Sequence, residues 1–150
     1  MLFRSLSAIA ELPCQIDYAS EYRYRNPHVD ENSVLITISQ SGETADTLAA
    51  LNYAKEKNYL ATVGICNVPT STLARESDFV LFTNAGPEIG VASTKAFTTQ
   101  LAALMLLTLS LAKARNLNPK LRQRVVTALR ALPEIITQTL ELKEIGRAHV

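Results

Sequence analysis

The sequence predicts an α/β domain built on a parallel sheet. Three short apolar runs, rich in β-branched and aromatic residues, carry the prediction: "SVLITIS" (33–39), "ATVGICN" (61–67) and "FVLFTNA" (79–85). Their apolar residues are nearly continuous instead of alternating, as strands covered on both faces by crossover helices require. Helical or turn-like segments separate them, giving the alternation of an α/β fold.

In chain order, a weaker strand is expected at "CQIDYA" (14–19), ahead of the first clear run. Between the first two runs, Ala45, Leu48, Ala49, Leu51 and Ala54 form an apolar stripe at helical spacing, with Asp46, Asn52, Lys55 and Glu56 elsewhere on the same segment. "NVPTSTLARESD" leaves room for only a short helix before Phe79, capped by Ser71 or Thr72. After the third run, "NAGPEIGVAS" reads as a loop, and 94–115 as a long helix that Ser93 can cap. Asn118 and Pro119 suit a cap and first helical position for a last helix carrying Leu121, Val125, Leu129 and Leu132. Pro133 then kinks that helix or begins another turn.

At 150 residues, with 47% hydrophobic and 19% charged side chains, the chain is sized and composed for one core. Fifteen basic and fourteen acidic residues leave a net charge of +1, which argues against a nucleic-acid surface or a polybasic membrane surface and for a small partner. Cys14 and Cys66 show neither CxxC nor Cys/His spacing, so buried reduced thiols are expected in preference to a disulfide or metal site. That usage implies a reducing, cytoplasmic compartment. The most apolar stretch, 101–112, is interrupted by Thr108 and Ser110 and falls short of the ~18–20 residues that cross a bilayer. It reads as a core helix, and "MLFRS" lacks the features of a signal peptide.

The two ends have a different signature. "EIGRAHV" back-translates as GAG ATC GGA AGA GCA CAC GTC, and "MLFRS", with a GTG start, as GTG CTC TTC CGA TCT. The second string is the reverse complement of AGATCGGAAGAGCAC within the first. Residues 1–5 and 144–150 are therefore expected to be translated sequencing-adapter DNA, leaving a native segment over 6–143 of a longer protein. The underlying nucleotide sequence checks this, since other codons encode the same peptides.

The densest chemistry lies in "SQSGETADT" (39–47), between the first strand and the helix after it. Open α/β sheets bind ligands at such strand-to-helix turns. A helix start presents unpaired N–H groups and a positive dipole end, both favourable to phosphate. Gly42 allows close backbone approach, and Ser39, Ser41 and Thr44 add hydroxyl donors. The loop does not match GxxxxGK[ST] and has no lysine, so a magnesium nucleotide fits poorly. Hydroxyl residues before a helix are also ordinary caps, a reading that needs no ligand.

"GPEIGVASTK" (86–95) holds the equivalent place after a later strand and can close over the first loop, with Gly90 and small residues exposing backbone groups to sugar hydroxyls. Lys95 is either a solvated surface lysine or a cation facing an anion. Glu88 suits a structural hydrogen bond at least as well as acid/base work. His28 lies in a surface-loop composition and His149 in the suspected adapter end, so no metal or histidine-based site is expected. "SEYRYR" (20–25) alternates aromatic and basic residues as an RNA-binding edge does, but without a basic footprint it reads as a solvated segment or a subunit contact.

Together, "ELPCQIDYASEYRYR", "LITISQSGETADTLAAL" and "TNAGPEIGVASTKAFTTQLAALMLL" closely resemble the first sugar-isomerase (SIS) domain of the glutamine:fructose-6-phosphate aminotransferase family, over about residues 6–142. "SQSGET" is shared broadly among SIS proteins, whereas "EIGVASTKAFTTQ" is specific to the aminotransferase. The resemblance implies a three-layer sandwich with a parallel sheet, plus C-terminal helices. It implies sugar-phosphate contacts from Ser39, Gln40, Ser41 and Thr44, with the serines and threonine on the phosphate, and sugar contacts from the Val91 backbone and Ser93. The ligand implied is a hexose 6-phosphate; the family transfers ammonia from glutamine to fructose 6-phosphate and isomerises the product to glucosamine 6-phosphate. No metal or organic cofactor is implied. The family's glutaminase domain with its N-terminal cysteine, and its second SIS domain with the glutamate, histidine and lysine of catalysis, match nothing here, so no catalytic residue is named. The parent is expected to be a homo-oligomer. The family's first strand and its Cys-Gly-Thr-Ser phosphate loop would precede Leu6, which leaves the sheet truncated between the 14–19 and 33–39 strands. Two alternatives share the first loop: a phosphosugar-sensing SIS module of a regulator, and a stand-alone SIS sugar-phosphate isomerase.

Overall fold

The computed structural model describes residues 2–25, 27–89, 95–116 and 118–141. The elements are α1 (Leu2–Ala10), α2 (Ala19–Arg25), β1 (Val34–Ile38), α3 (Ala45–Lys55), β2 (Ala61–Cys66), α4 (Thr72–Glu76), β3 (Phe79–Phe82), α5 (Lys95–Ala114) and α6 (Pro119–Glu141). The three strands form one parallel sheet in the order β1-β2-β3, with Ile36 opposite Val63 and Ile65 opposite Leu81.

Adjacent residues on each strand point to opposite faces, so each apolar run feeds two cores. On one face Leu51 of α3, Cys66 of β2 and Leu73 of α4 are fully buried, with Leu35, Leu48 and Val80 against them. On the other, Ile65 packs with Ala103 and Leu104 of α5, flanked by Ile36 and Leu81. The result is a three-layer α/β/α sandwich, extended outward by α2 packing on α3 and α1 packing on α5. Both crossovers, β1-α3-β2 and β2-α4-β3, place their helix on the same face, as a consistently handed parallel sheet requires.

Coverage on both faces is fully realised only in β2, whose last three residues are all buried. β1 and β3 are edge strands of the described sheet, and Val34, Ile38, Phe79 and Phe82 stay exposed. Ser33 O accepts from Leu60 N, and Ser39 N donates to Ile65 O, so the odd-numbered residues of β1 turn their backbone toward β2. Val34, Ile36 and Ile38 therefore present theirs to an open edge.

Two expectations need correction. Residues 14–18 form no strand: the segment is irregular, Ala19 already belongs to α2, and Ile16 and Tyr18 are exposed. A strand exists only where it is paired, and no described segment lies alongside 14–18 to pair with it. Cys14 is exposed, while Cys66 is buried and reduced as expected. "SEYRYR" is largely solvent-accessible as expected, but it folds into α2 and buries Tyr22. The Tyr22 hydroxyl shares a 2.6 Å hydrogen bond with that of Tyr59, and its ring meets Tyr53 edge-on at 5.6 Å. Burial first, and then the Tyr59 contact, raise its pKa above the ordinary tyrosine value.

The caps follow the sequence. Ser71 accepts from Ala74 N at the start of α4, and Asn118 Oδ1 accepts from Lys120 N at the start of α6. α6 runs through Pro133 as one helix with no buried residue. The Ser93 cap and the 144–150 end lie outside the described residues.

Candidate functional site

The 39–44 loop leaves the carboxyl end of β1 and enters α3. Gly42 has φ +68°, and a Cβ placed there would come within 2.2 Å of Ser71 Oγ. The loop thus depends on glycine twice, for a left-handed turn and for close contact with the start of α4. Ser39 is buried and bridges the turn: its Oγ accepts from Gly42 N at 3.0 Å and pairs with Thr44 Oγ1 at 2.9 Å. Ser41 Oγ accepts from Glu43 N at 3.1 Å.

Thr44 occupies the N-cap of α3, with φ −68° and ψ 118°, yet makes no side-chain cap bond. Its hydroxyl is committed to Ser39 instead. The simple capping role is therefore not realised, and the N–H groups of Ala45, Asp46 and Thr47, which the helix cannot satisfy internally, have no partner among the described residues. Open amides, a positive helix end and the hydroxyls of Ser39, Ser41 and Thr44 meet in one turn, the arrangement that receives an anion. Asp46 is the acidic residue of that helix turn, and Arg23 of α2 lies 3.7 Å from its carboxylate, offsetting its charge.

Two residues the sequence reading passed over hold the loop in place. Glu43 turns away from α3: its Oε1 accepts from Thr72 N at 2.7 Å, while Gly42 O accepts from Leu73 N at 3.0 Å. The Thr72 N–H donor holds the Glu43 carboxyl below the ordinary glutamate range, with help from the Thr72 side chain and Arg75. The loop's own carboxylate is thus spent on α4, away from the α3 amides. Asn67, the residue after β2, donates its backbone N–H to Gln40 O at 3.0 Å. Its side chain reaches the segment after β3, where Oδ1 accepts from Ala85 N at 2.7 Å and from Thr83 Oγ1 at 3.1 Å, and Nδ2 donates to Gly86 O at 2.8 Å. The available signal was position alone: an amide side chain at the carboxyl end of the central strand, in reach of both flanking turns.

Ser39, Gln40, Ser41 and Thr44 are thus brought together, whereas Val91 and Ser93 lie outside the described residues. The second loop is tied down on both described sides of that gap. Glu88 Oε2 accepts from Ala96 N at 3.2 Å, and Lys95 Nζ donates to Pro87 O. Glu88 makes a structural hydrogen bond, and Lys95, exposed as a surface lysine, also holds a backbone carbonyl. Among the described residues no three His, Cys, Asp or Glu side chains gather to hold a metal. A depression of about 400 Å³ lined by Pro27, His28, Glu56 and Lys57 lies at the opposite, amino end of the strands. It lacks converging hydroxyls or open helix amides.

The SIS domain family matches residues 2–110. The glutamine–fructose-6-phosphate aminotransferase (isomerizing) of Escherichia coli strain K12 is 54% identical over 133 residues, covering 89% of this chain and 22% of that protein. Its counterpart from Pectobacterium atrosepticum matches with the same identity and coverage. The chain therefore spans about a fifth of the length of the curated relatives it matches. Among solved structures, the C-terminal domain of glucosamine-fructose-6-phosphate aminotransferase from Francisella tularensis superposes with a TM-score of 0.91 at 46% identity, over 94% of this chain and 40% of that one. Glucosamine-6-phosphate deaminase from Thermotoga maritima, at 24% identity and a TM-score of 0.71 over 89% of this chain and 40% of that one, shares the fold. The parallel sheet, the hydroxyl-lined turn at its carboxyl edge and these matches agree: the chain belongs to the SIS domain family.

Proposed function

We propose that the chain is the hexose 6-phosphate-binding part of the isomerase half of a glutamine–fructose-6-phosphate aminotransferase. One observation carries the proposal. The N-cap hydroxyl of α3 is bonded to Ser39 and leaves the helix amides open beside a cluster of hydroxyls. A phosphate monoester dianion is compact enough for that turn and accepts from both kinds of donor. The similarity to aminotransferases in sequence and structure supports a hexose 6-phosphate as that ester.

In this reading Ser39, Gln40, Ser41 and Thr44 contact the sugar phosphate, the serines and threonine at its phosphate, and the Val91 backbone and Ser93 receive the sugar. The parent chain adds a glutaminase domain and a second SIS domain, assembles as a homo-oligomer in the cytoplasm, and converts fructose 6-phosphate and glutamine into glucosamine 6-phosphate and glutamate. The segment 6–143 is native sequence, and 1–5 and 144–150 are adapter-derived. By itself the chain binds substrate without turning it over.

Calorimetric titration with glucose 6-phosphate, with glucose as control, tests the reading. Binding of the phosphosugar alone, weakened by Ser39→Ala or Thr44→Ala, is the expected result. Equal binding of glucose, or none of either, contradicts it. An assay with fructose 6-phosphate and ammonia is expected to yield no glucosamine 6-phosphate.

A further inference from the structure

We propose that Asn67 is a positioning residue: it sets the segment after β3, which leads into the sugar-contacting loop, at a fixed height over the phosphate loop. The role rests on the phosphosugar reading above. Its backbone N–H is bonded to Gln40 O within the phosphate loop, and its side-chain amide makes three bonds to Thr83, Ala85 and Gly86. One residue thus ties both loops to the carboxyl end of the central strand. The tie needs an amide. Oδ1 serves two donors while Nδ2 serves an acceptor, a combination that no carboxylate or hydroxyl provides in one plane.

The segment it holds is bent. Asn84 has φ 50° and Gly86 has φ 71°, so the chain turns twice within three residues while Asn67 grips the N–H of Ala85 and the carbonyl of Gly86. The phosphate loop owes nothing to that amide. Its internal bonds run among Ser39, Gly42, Ser41, Glu43 and Thr44, and its outer anchors are Thr72 and Leu73 of α4 and the backbone of Ile65 and Asn67, which a change of the Asn67 side chain leaves in place. Removing the Asn67 side chain therefore frees the second loop and leaves the anion subsite intact.

That asymmetry separates positioning from general structural support. Inorganic phosphate probes the first loop alone, and glucose 6-phosphate probes both. In amide NMR titrations of the full chain, Asn67→Ala is expected to weaken glucose 6-phosphate binding roughly tenfold, the size of a lost hydrogen-bonded restraint, with inorganic phosphate binding unchanged. Thr83→Val, an isosteric change that removes one donor to Oδ1, is expected to lower the same ratio by a smaller factor and covers the case in which Asn67→Ala does not fold. Parallel weakening of both ligands, or an unchanged ratio in both variants, overturns the positioning role while leaving the phosphosugar reading in place. A wild-type chain that binds neither ligand overturns the phosphosugar reading and this role with it.

Discussion

Gly42 is the residue on which the site's geometry rests most narrowly. Any side chain there meets both a left-handed φ of +68° and the Ser71 hydroxyl, so Gly42→Ala must move the loop off α4. Phosphosugar binding is expected to fall below detection, with about 1–3 kcal/mol lost in urea denaturation; wild-type affinity in that variant would contradict the loop geometry. Two carboxylates set the acid limit. Glu43 and Asp78 are held below their ordinary values of 4.5 and 3.8, chiefly by backbone donors, Thr72 N–H to Glu43 and Thr62 N–H to Asp78. Because the folded values are the lowered ones, their stabilisation is complete above the ordinary values and is lost as pH falls through the folded ones. The urea midpoint should therefore decline as pH drops below 4.5, and Asp78→Asn should flatten the lower part of that decline. A slope identical to wild type in that variant would remove Asp78 from the account.

Elements differ in what fixes them. β2 is held from both faces, and Leu51 of α3 is the fully buried side chain that seals one of them. Leu51→Ala is expected to cost about 2–5 kcal/mol, enough to unfold a marginal chain, read as loss of the far-ultraviolet helical signal at 25 °C. The β strands, α3, α4, α5 and α6 were legible in the sequence because each carries its own period, cap or apolar run. α2 was not. Tyr22 is the only one of its seven residues that is buried, and alternation of Tyr22 and Tyr24 with Arg23 and Arg25 conceals a helical face. The strand expected at 14–19 failed for the opposite reason, since its local pattern suits a strand but pairing is supplied by a neighbour. At the site, glycine and hydroxyls made the 39–44 loop readable. Glu43's partner lies 29 residues away and those of the Asn67 side chain 16 to 19 away, distances over which local pattern carries no information.

At the scale of the whole molecule, the described sheet is small and open along β1. Among the described residues no strand pairs with the backbone groups of Val34, Ile36 and Ile38 at that edge, which makes it a template for association. The exposed flanks Val34 and Ile38 add apolar surface along that edge. The chain is expected to unfold with a stability near or below the ~5 kcal/mol lower end for folded domains and to self-associate with rising concentration. Val34→Lys should suppress that association in sedimentation velocity while leaving the far-ultraviolet spectrum unchanged. A strongly stable wild-type monomer at high concentration would contradict the open edge. α5 satisfies the length and hydropathy of a membrane span, yet it packs on α1 and on β2 through Ala103 and Leu104, as the core helix of the sandwich does.

The claim that joins these scales is that the turn between β1 and α3 receives the phosphate of a sugar phosphate. A residue-resolved amide spectrum of the chain, recorded with glucose 6-phosphate and then with glucose, addresses it most directly. The account predicts that the amides of Gly42 and of Ala45 to Thr47 move with the phosphosugar and stay still with glucose. Shifts confined to the 27–32 and 56–58 surface, or the same shifts with glucose, would contradict it.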